Sequence, residues 1–473
     1  MKRLFLVFAV AALAAPAALS AATNQLVVHE WGTFTALQDE RGRSLDGINT
    51  DDEPVPGFVH RLAGGSPVFT ATQLPGFFFQ GAPFAQPNVT IRLETPVIYF
   101  HPTGDLPQTV DVKVQYRGGL LTEYYPKPTR EEPVIEFTER GSAFQRSSLG
   151  VLEWKNLKIG ASGAAMATDD PVWLAPRHVN AANVQTASGE SERFLFYRGL
   201  GTGEALLKVA QEKDELVIQP AVPPEVKDDL RIRRLWLVDI QKNKIAFREA
   251  PGFTIPSHRE GFSKRMPARF TAADYSAANR DKLRAALLDA LKVEGLFEDE
   301  AVALLETWKV SYFQSPGLRL FFVTPRRWTD QILPLEIPQA DKVARVMMGR
   351  IELVSPRQRE LLTELSKTST AEIQKAATDL QQRVAKKLYP ANSNLDKQAV
   401  ENINLIFKGR RSLADLGIDA PVIYQKYLEL GRFRHTLVTH SATETPGLQT
   451  FLEAFRLAQV TPTTSSQKVS APN

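Results

Sequence analysis

The sequence predicts a multidomain α+β protein with an N-terminal β-sandwich-like domain, a central α/β segment and a C-terminal helical region. Short β-branched and aromatic runs, broken by Gly and Pro, fill residues 23–250. Strand-like and helical spacings alternate over residues 251–356, and helical spacing dominates residues 357–460. A chain of 473 residues is long enough for two or three domains with large apolar cores.

Residues 1–22 have the three-part layout of a secretory signal peptide. Lys2 and Arg3 precede an apolar run from Leu4 to Ala18, and small residues follow up to Ala22. The apolar run covers roughly 15 residues, which is shorter than the about 20 that a transmembrane helix needs. We therefore expect cleavage of this segment, no transmembrane anchor after cleavage, and a secreted or periplasmic protein.

Seven runs of the N-terminal domain have the composition of strands. They are Val89 to Phe100, Thr109 to Tyr116, Val151 to Ile159, Phe194 to Tyr197, Leu216 to Gln219, Ile232 to Ile240 and Lys244 to Glu249. The last two predict a hairpin across residues 241–243. Polar and apolar residues alternate from Val112 to Arg117, which is typical of a strand with one face towards water.

The later segments carry helix signals. Thr271 with Asp274 predicts a capping box before an apolar stripe that ends at Gly295, and a second helix is expected from Glu298 to about Tyr312. Two strand-like runs follow, Leu318 to Thr324 and Arg345 to Val354. Ser369 with Glu372 predicts another capping box, and further helices are expected over 396–407, 420–430 and 446–457. Residues 461–473 are rich in Ser, Thr and Pro, which predicts a disordered tail.

Composition argues against a protein that depends on cysteine chemistry and against a nucleic-acid-binding protein. The chain has no cysteine, so neither a disulfide framework nor a lipid-modified cysteine can form. The net charge of +4 includes Lys2 and Arg3 and is spread over charges of both signs, so we expect no nucleic-acid partner. Two short basic clusters, Arg231-Ile232-Arg233-Arg234 and Arg326-Arg327, are interpreted as solvated faces.

The candidate catalytic residues are His29, Glu30, Glu94 and His101. His29 and Glu30 begin a dense stretch of titratable and aromatic residues that ends at Thr35. Neighbouring residues on a strand point to opposite faces, so only one of these two can face a given pocket. Glu94 and His101 bound one predicted strand and would lie about 23 Å apart along it, at about 3.3 Å per residue.

Two metal sites are weighed against simpler interpretations. His29, His60 and His101 could together bind zinc, although none of them has the local spacing of common zinc motifs. Asp46, Asp51 and Asp52 supply hard oxygen ligands for calcium, although their spacing is not that of an EF-hand and a solvated acidic turn also explains them. No cofactor is identified.

Glycines alternate at Gly199, Gly201 and Gly203 without completing a nucleotide-binding motif. The Lys-Ser/Thr of a P-loop is absent after them, and Glu204 stands where the dinucleotide fingerprint needs its third glycine. We interpret the stretch as a turn between strands.

The stretches His29 to Thr35, Glu94 to Phe100 and Gly317 to Leu335 resemble an uncharacterised family of exported bacterial proteins. Its members begin with a His-Glu-Trp-Gly-Thr-Phe stretch, and the resemblance runs over most of the mature chain. No activity is attached to that family, so the resemblance implies export and bacterial origin and assigns no catalytic residue.

Two functions follow as hypotheses. The first is a binding or structural module of the cell envelope or extracellular space, with a glycan or protein partner. The second is a hydrolase of envelope or extracellular glycan that uses carboxylates of the β domain with His29 or His101 nearby. The hydrolase requires Glu30, Glu94 and a histidine to lie in one water-accessible pocket.

Overall fold

A computed structural model describes residues 25–48, 55–62, 88–104, 109–132, 147–388 and 417–455, and all structural statements concern these ranges. The protein is an α+β fold built on one large curled sheet. None of the helices within these ranges combines the length and the apolar character that crossing a bilayer requires. The predicted helix over 396–407 and the predicted tail lie outside the described residues.

Eighteen strands are described. In chain order they are β1 Gln25–Gln38, β2 His60–Arg61, β3 Ile91–Thr103, β4 Thr109–Arg117, β5 Gly119–Tyr125, β6 Arg130–Glu132, β7 Leu149–Ile159, β8 Val184–Gln185, β9 Ser191–Glu192, β10 Leu195–Gly201, β11 Leu207–Glu212, β12 Glu215–Pro220, β13 Leu230–Gln241, β14 Lys244–Ile255, β15 Lys264–Pro267, β16 Gly317–Val323, β17 Leu335–Glu336 and β18 Lys342–Leu353.

The described α-helices, numbered here in chain order, are α1 Pro171–Arg177, α2 Asn279–Val293, α3 Glu298–Thr307, α4 Lys309–Phe313, α5 Arg326–Ile332, α6 Pro356–Ser366, α7 Thr370–Leu388, α8 Val422–Glu429, α9 Arg434–Ala442 and α10 Pro446–Ala454.

The main sheet has the strand order β14-β13-β16-β18-β1-β3-β10-β5-β7-β4-β17. β1 lies inside it, parallel to β18 and antiparallel to β3. A small second sheet has the order β11-β12-β15. The large sheet continues across the predicted boundary near residue 250, because β16 and β18 lie between β13 and β1.

Apolar packing divides the sheet into two faces. One face curls around a core that joins Val28 and Phe100 to Val112, Leu237 and residues of the small sheet. The other face packs Trp31, Tyr99 and Trp236 against α1, α2, α3 and α4. The C-terminal helices form a third cluster over the far end of β1, where Leu37 lies.

Local signals account for several elements. The alternating burial of β4 follows the polar and apolar alternation of its sequence. The predicted hairpin forms between β13 and β14, with Lys242 and Asn243 at positive φ in its turn. Ser369 and Glu372 exchange the hydrogen bonds of a capping box before α7.

Two helix predictions are corrected. The capping box of Thr271 and Asp274 forms, but it precedes a short 3₁₀ turn over Ala272–Asp274, and α2 begins only at Asn279. The helix expected from Glu298 to about Tyr312 is divided into α3 and α4 at Trp308, whose backbone leaves the helical region.

The interpretation of the alternating glycines as a turn was wrong for Gly199 and Gly201, whereas Gly203 lies in the connection between β10 and β11. Gly199 and Gly201 belong to β10, which pairs with both β3 and β5. The ring of Tyr116 lies against this strand, and a Cβ at Gly201 would overlap its hydroxyl group. Glycine therefore serves close packing here, because no larger residue leaves room for the tyrosine ring.

Candidate metal centre

The site is built where three elements meet at one end of the sheet. His29 lies near the start of β1, His101 near the end of the antiparallel strand β3, and Glu300 in the first turn of α3. Because β1 and β3 run in opposite directions, the start of one lies beside the end of the other. His29 and Tyr99 are cross-strand partners, which places His101 two residues further along on the same face.

The carboxylate of Glu300 lies between the two imidazoles. Its Oε2 is 2.7 Å from His29 Nδ1, and its Oε1 is 2.8 Å from His101 Nε2. These three ligand atoms all lie within 4.8 Å of one another. The Glu300 side chain is 0% exposed, His29 is 3% exposed and His101 is 11% exposed.

Helix α3 and its entry loop fix Glu300 in this position. The backbone N–H of Phe297 donates a hydrogen bond to Glu300 Oε2 at 2.8 Å, as in the second half of a capping box. The Phe297 ring packs against both imidazoles, with centroid distances of 4.5 Å to His29 and 4.9 Å to His101. The cluster is thus covered by an aromatic ring that is itself partly exposed.

The electrostatics of Glu300 favour its ionised form. Burial raises the pKa of this carboxyl, but hydrogen bonds from His101 and His29 outweigh burial and hold the pKa below its ordinary value. A buried carboxylate facing two imidazole nitrogens is a chemical set that binds divalent transition metals.

Glu300 differs from the other buried glutamates in the described ranges. Each of those forms an ion pair with arginine: Glu30 with Arg345, Glu94 with Arg92 and Arg432, Glu123 with Arg198, Glu192 with Arg177, and Glu352 with Arg319 and Arg350. The ion-pair partners of Glu300 in these ranges are the two histidines. Within the described residues, the other buried glutamates thus contact guanidinium groups, whereas Glu300 contacts imidazoles.

The structure places the predicted catalytic residues in three different surroundings. His29 and His101 come together, whereas Glu30 lies on the opposite face of β1, where it accepts hydrogen bonds from Arg345 Nε at 2.5 Å and from the Tyr197 hydroxyl. Glu94 accepts hydrogen bonds from Thr35 and Arg432, each at 2.9 Å. The two glutamates thus neutralise buried arginines away from the histidine pair.

The remaining metal candidates do not join this centre. His60 Nε2 lies 2.7 Å from Glu190 Oε1, near the edge of β5. Asp46 Oδ1 lies 2.9 Å from His440 Nε2. Asp51 and Asp52 lie outside the described residues.

Sequence reasoning missed Glu300. It stands in the acidic first turn Glu298-Asp299-Glu300, and carboxylates there are ordinary because they interact favourably with the helix dipole. A distance of 271 positions separates it from His29, so no local motif connects them.

Comparison of the sequence with protein families and curated proteins identifies no relative. No protein-family model matches the chain, and no curated protein matches its sequence.

Proposed function

We propose that this chain is an exported protein that binds a divalent transition metal of the zinc class through His29, His101 and Glu300. The observation that carries the proposal is the pairing of a fully buried glutamate with two imidazoles, in a protein whose other described buried glutamates pair with arginine. Export rests on the basic, apolar and small-residue parts of segment 1–22.

The ligand atoms lie close enough together to contact one ion. Zinc forms bonds of about 2.0–2.2 Å to imidazole and carboxylate, so ligand atoms around one ion lie about 3.4 Å apart. Two of the observed separations are 2.7 and 2.8 Å, and all ligand atoms of the cluster lie within 4.8 Å of one another. Binding therefore requires side-chain rotations that open the two short separations.

Three protein ligands leave one position for water or for a group on a partner molecule. A zinc ion held by these residues would supply a Lewis acid. Metal binding through these residues is compatible with a binding module of the envelope, whose partner would be a glycan or a protein. The glycan hydrolase alternative has less support, because Glu30 and Glu94 lie in ion pairs apart from the histidines.

Titration of metal-free protein with Zn²⁺ and Co²⁺ tests the proposal. We expect one equivalent to bind, a higher Tm in the presence of metal, and a Co²⁺ absorption spectrum typical of nitrogen and oxygen ligands. His29→Ala and Glu300→Gln should each weaken binding by more than the roughly 10–100-fold that the loss of an outer-sphere partner costs.

His60→Ala is the matched control, because His60 also contacts a glutamate but lies away from the centre. It should retain wild-type affinity. Thermal unfolding of each metal-free variant establishes that it is folded. Absence of stoichiometric binding by the wild-type protein, or an equal loss in His60→Ala, would contradict the proposal and leave the cluster as a structural hydrogen-bonded unit.

A further inference from the structure

A groove opens where one strand of the sheet ends before its neighbours. β16 ends at Val323, whereas β13 on one side and β18 on the other continue to Leu230 and Lys342. Gly295, after α2, and Pro325, before α5, also line this gap. The resulting groove has a volume of about 470 Å³, which is within the range of small-molecule sites.

The groove is strongly basic. Its lining includes six cationic side chains and two carboxylates: Arg231, Arg233, Arg326, Arg327, Lys342 and Arg345, with Asp229 and Glu294. Arg231 and Arg233 from one of the basic clusters seen in the sequence thus meet Arg326 and Arg327 from the other in one concave surface. Clustered positive charge in a concave site raises the local concentration of anions.

Part of this charge has no counterion among the described residues. Arg233 pairs with Glu294 at 2.7 Å, Arg327 with Asp228 at 3.0 Å and Arg326 with Asp330 at 3.3 Å. Arg231 and Lys342 are exposed and form no ion pair within the part of the chain that the structure describes. These two side chains are free to bind an anion without first breaking a contact.

Arg345 forms part of the wall of the groove. Its side chain is only 2% exposed and lines the groove. Nε contacts Glu30 and Nη1 lies 2.7 Å from Asp330. The guanidinium of Arg345 is thus held in the wall of the groove by these two carboxylates. Arg231 and Lys342 are the cations that remain available to an anion.

We propose that this groove binds a small phosphate-bearing molecule. Guanidinium groups match the oxygens of phosphate in fork-like pairs, and five of the six cations here are arginines. Arg231 and Lys342, which form no ion pair within the described residues, leave two positive charges for a doubly charged anion such as a phosphate monoester.

The groove lies beside the metal centre but stands independently of it. Ala344 lines the groove and is the cross-strand partner of His29. Gly295, also in the lining, precedes Phe297 by two residues. None of His29, His101 and Glu300 lines the groove, so loss of metal binding would leave the groove and its charges in place and the two proposals can fail separately.

Calorimetric titration with inorganic phosphate and a simple phosphate monoester, at low ionic strength and without metal, tests the inference. We expect saturable binding that weakens as salt is added. The double variant Arg231→Gln/Lys342→Gln should raise Kd about tenfold or more, because it removes two cations that have no other partner. Both side chains are exposed, so the variant is expected to fold.

The control is Arg234→Gln/Lys309→Gln, which removes the same charge from paired, exposed sites outside the groove lining. It should bind phosphate as the wild-type protein does. Equal weakening in the control, or no preference for phosphate over acetate at equal ionic strength, would overturn the proposal. So would phosphate binding that is unchanged in Arg231→Gln/Lys342→Gln. Binding of a long oligonucleotide at one site, with none of phosphate or its monoester, would show a macromolecular ligand instead and would also overturn it.

Discussion

Glu30 and Arg345 show how single residues set the chemistry on each face of the sheet. They lie on the neighbouring strands β1 and β18 and are cross-strand partners. Burial alone lowers the pKa of Arg345, but the carboxylate of Glu30 outweighs it and raises that pKa above its ordinary value. The ion pair with Glu30 therefore holds the buried Arg345 in its charged form.

Removing one partner should destabilise the protein strongly. Arg345→Met leaves the Glu30 carboxylate buried without its cation, and we expect a loss of about 3–5 kcal/mol in the free energy of unfolding. Glu30→Gln/Arg345→Met should cost clearly less, because no uncompensated charge remains. Urea denaturation of the two variants and the wild type measures both values. Equal losses in the single and the double variant would show that packing, and not charge, dominates at this position.

At the residue scale, the sequence predicted which residues cannot share a site better than it predicted which residues form one. Alternation along β1 predicted that His29 and Glu30 face different surroundings, and they do. Strand length likewise predicted that Glu94 and His101 cannot share a site, and their partners are different. Glu300 could not be predicted, because only the packing of α3 against the end of the sheet brings it to the histidines.

Among elements, β10 shows how packing overrides a local preference. Glycine is unfavourable within strands, yet Gly199 and Gly201 lie in a strand that pairs on both edges. The aromatic ring of Tyr116, from β4, occupies the space that their side chains would take. Composition alone therefore predicted a turn where the tertiary structure forms a strand.

Gly201→Ala should destabilise the protein by about 1–3 kcal/mol through overpacking. Tyr116→Phe removes the hydroxyl that the new methyl group would meet, so the cost of Gly201→Ala should be smaller in that background. Thermal or urea unfolding of the four variants in this cycle measures the coupling. Gly203→Ala is the control, because a Cβ there meets only Ile91, at 3.6 Å. Additive effects of the two changes would count against direct contact.

Elements whose formation depends on residues close together in the sequence were predicted well. The hairpin of β13 and β14, the alternation in β4 and the capping box of α7 all depend on contacts within a few residues of sequence. The pairing order of the sheet depends on contacts across hundreds of residues, and periodicity carries no information about those partners.

On the scale of the whole molecule, the C-terminal helices are tied back to the loop after β1. His440, in α9, lies 2.9 Å from the carboxylate of Asp46, and this hydrogen bond raises the pKa of the imidazole. Thr436 on the same helix donates a hydrogen bond to the Gly47 carbonyl. The contact joins parts of the chain 394 positions apart.

This contact predicts a small dependence of stability on pH. Because folding raises the pKa of His440, the contribution is fully present below the unfolded value of about 6.5. It is lost as pH rises through the folded pKa. The pair is partly exposed, so we expect less than about 1 kcal/mol. Urea denaturation of wild type and His440→Gln at acidic and alkaline pH measures it, and parallel curves for the two proteins would contradict the assignment.

The position of β1 has a consequence for the order in which the chain can fold. Glu30 and its partner Arg345 are 315 positions apart, yet their strands pair side by side inside the sheet. A polypeptide that emerges amino end first must hold β1 unpaired on one edge until about two thirds of the chain has followed it. Pairing between strands so far apart in sequence is slow, and until it is complete the unpaired edge of β1 can pair with other chains and aggregate. A chaperone that covers unpaired strands would therefore matter more to this protein than to one whose first strand pairs with strands nearby in sequence.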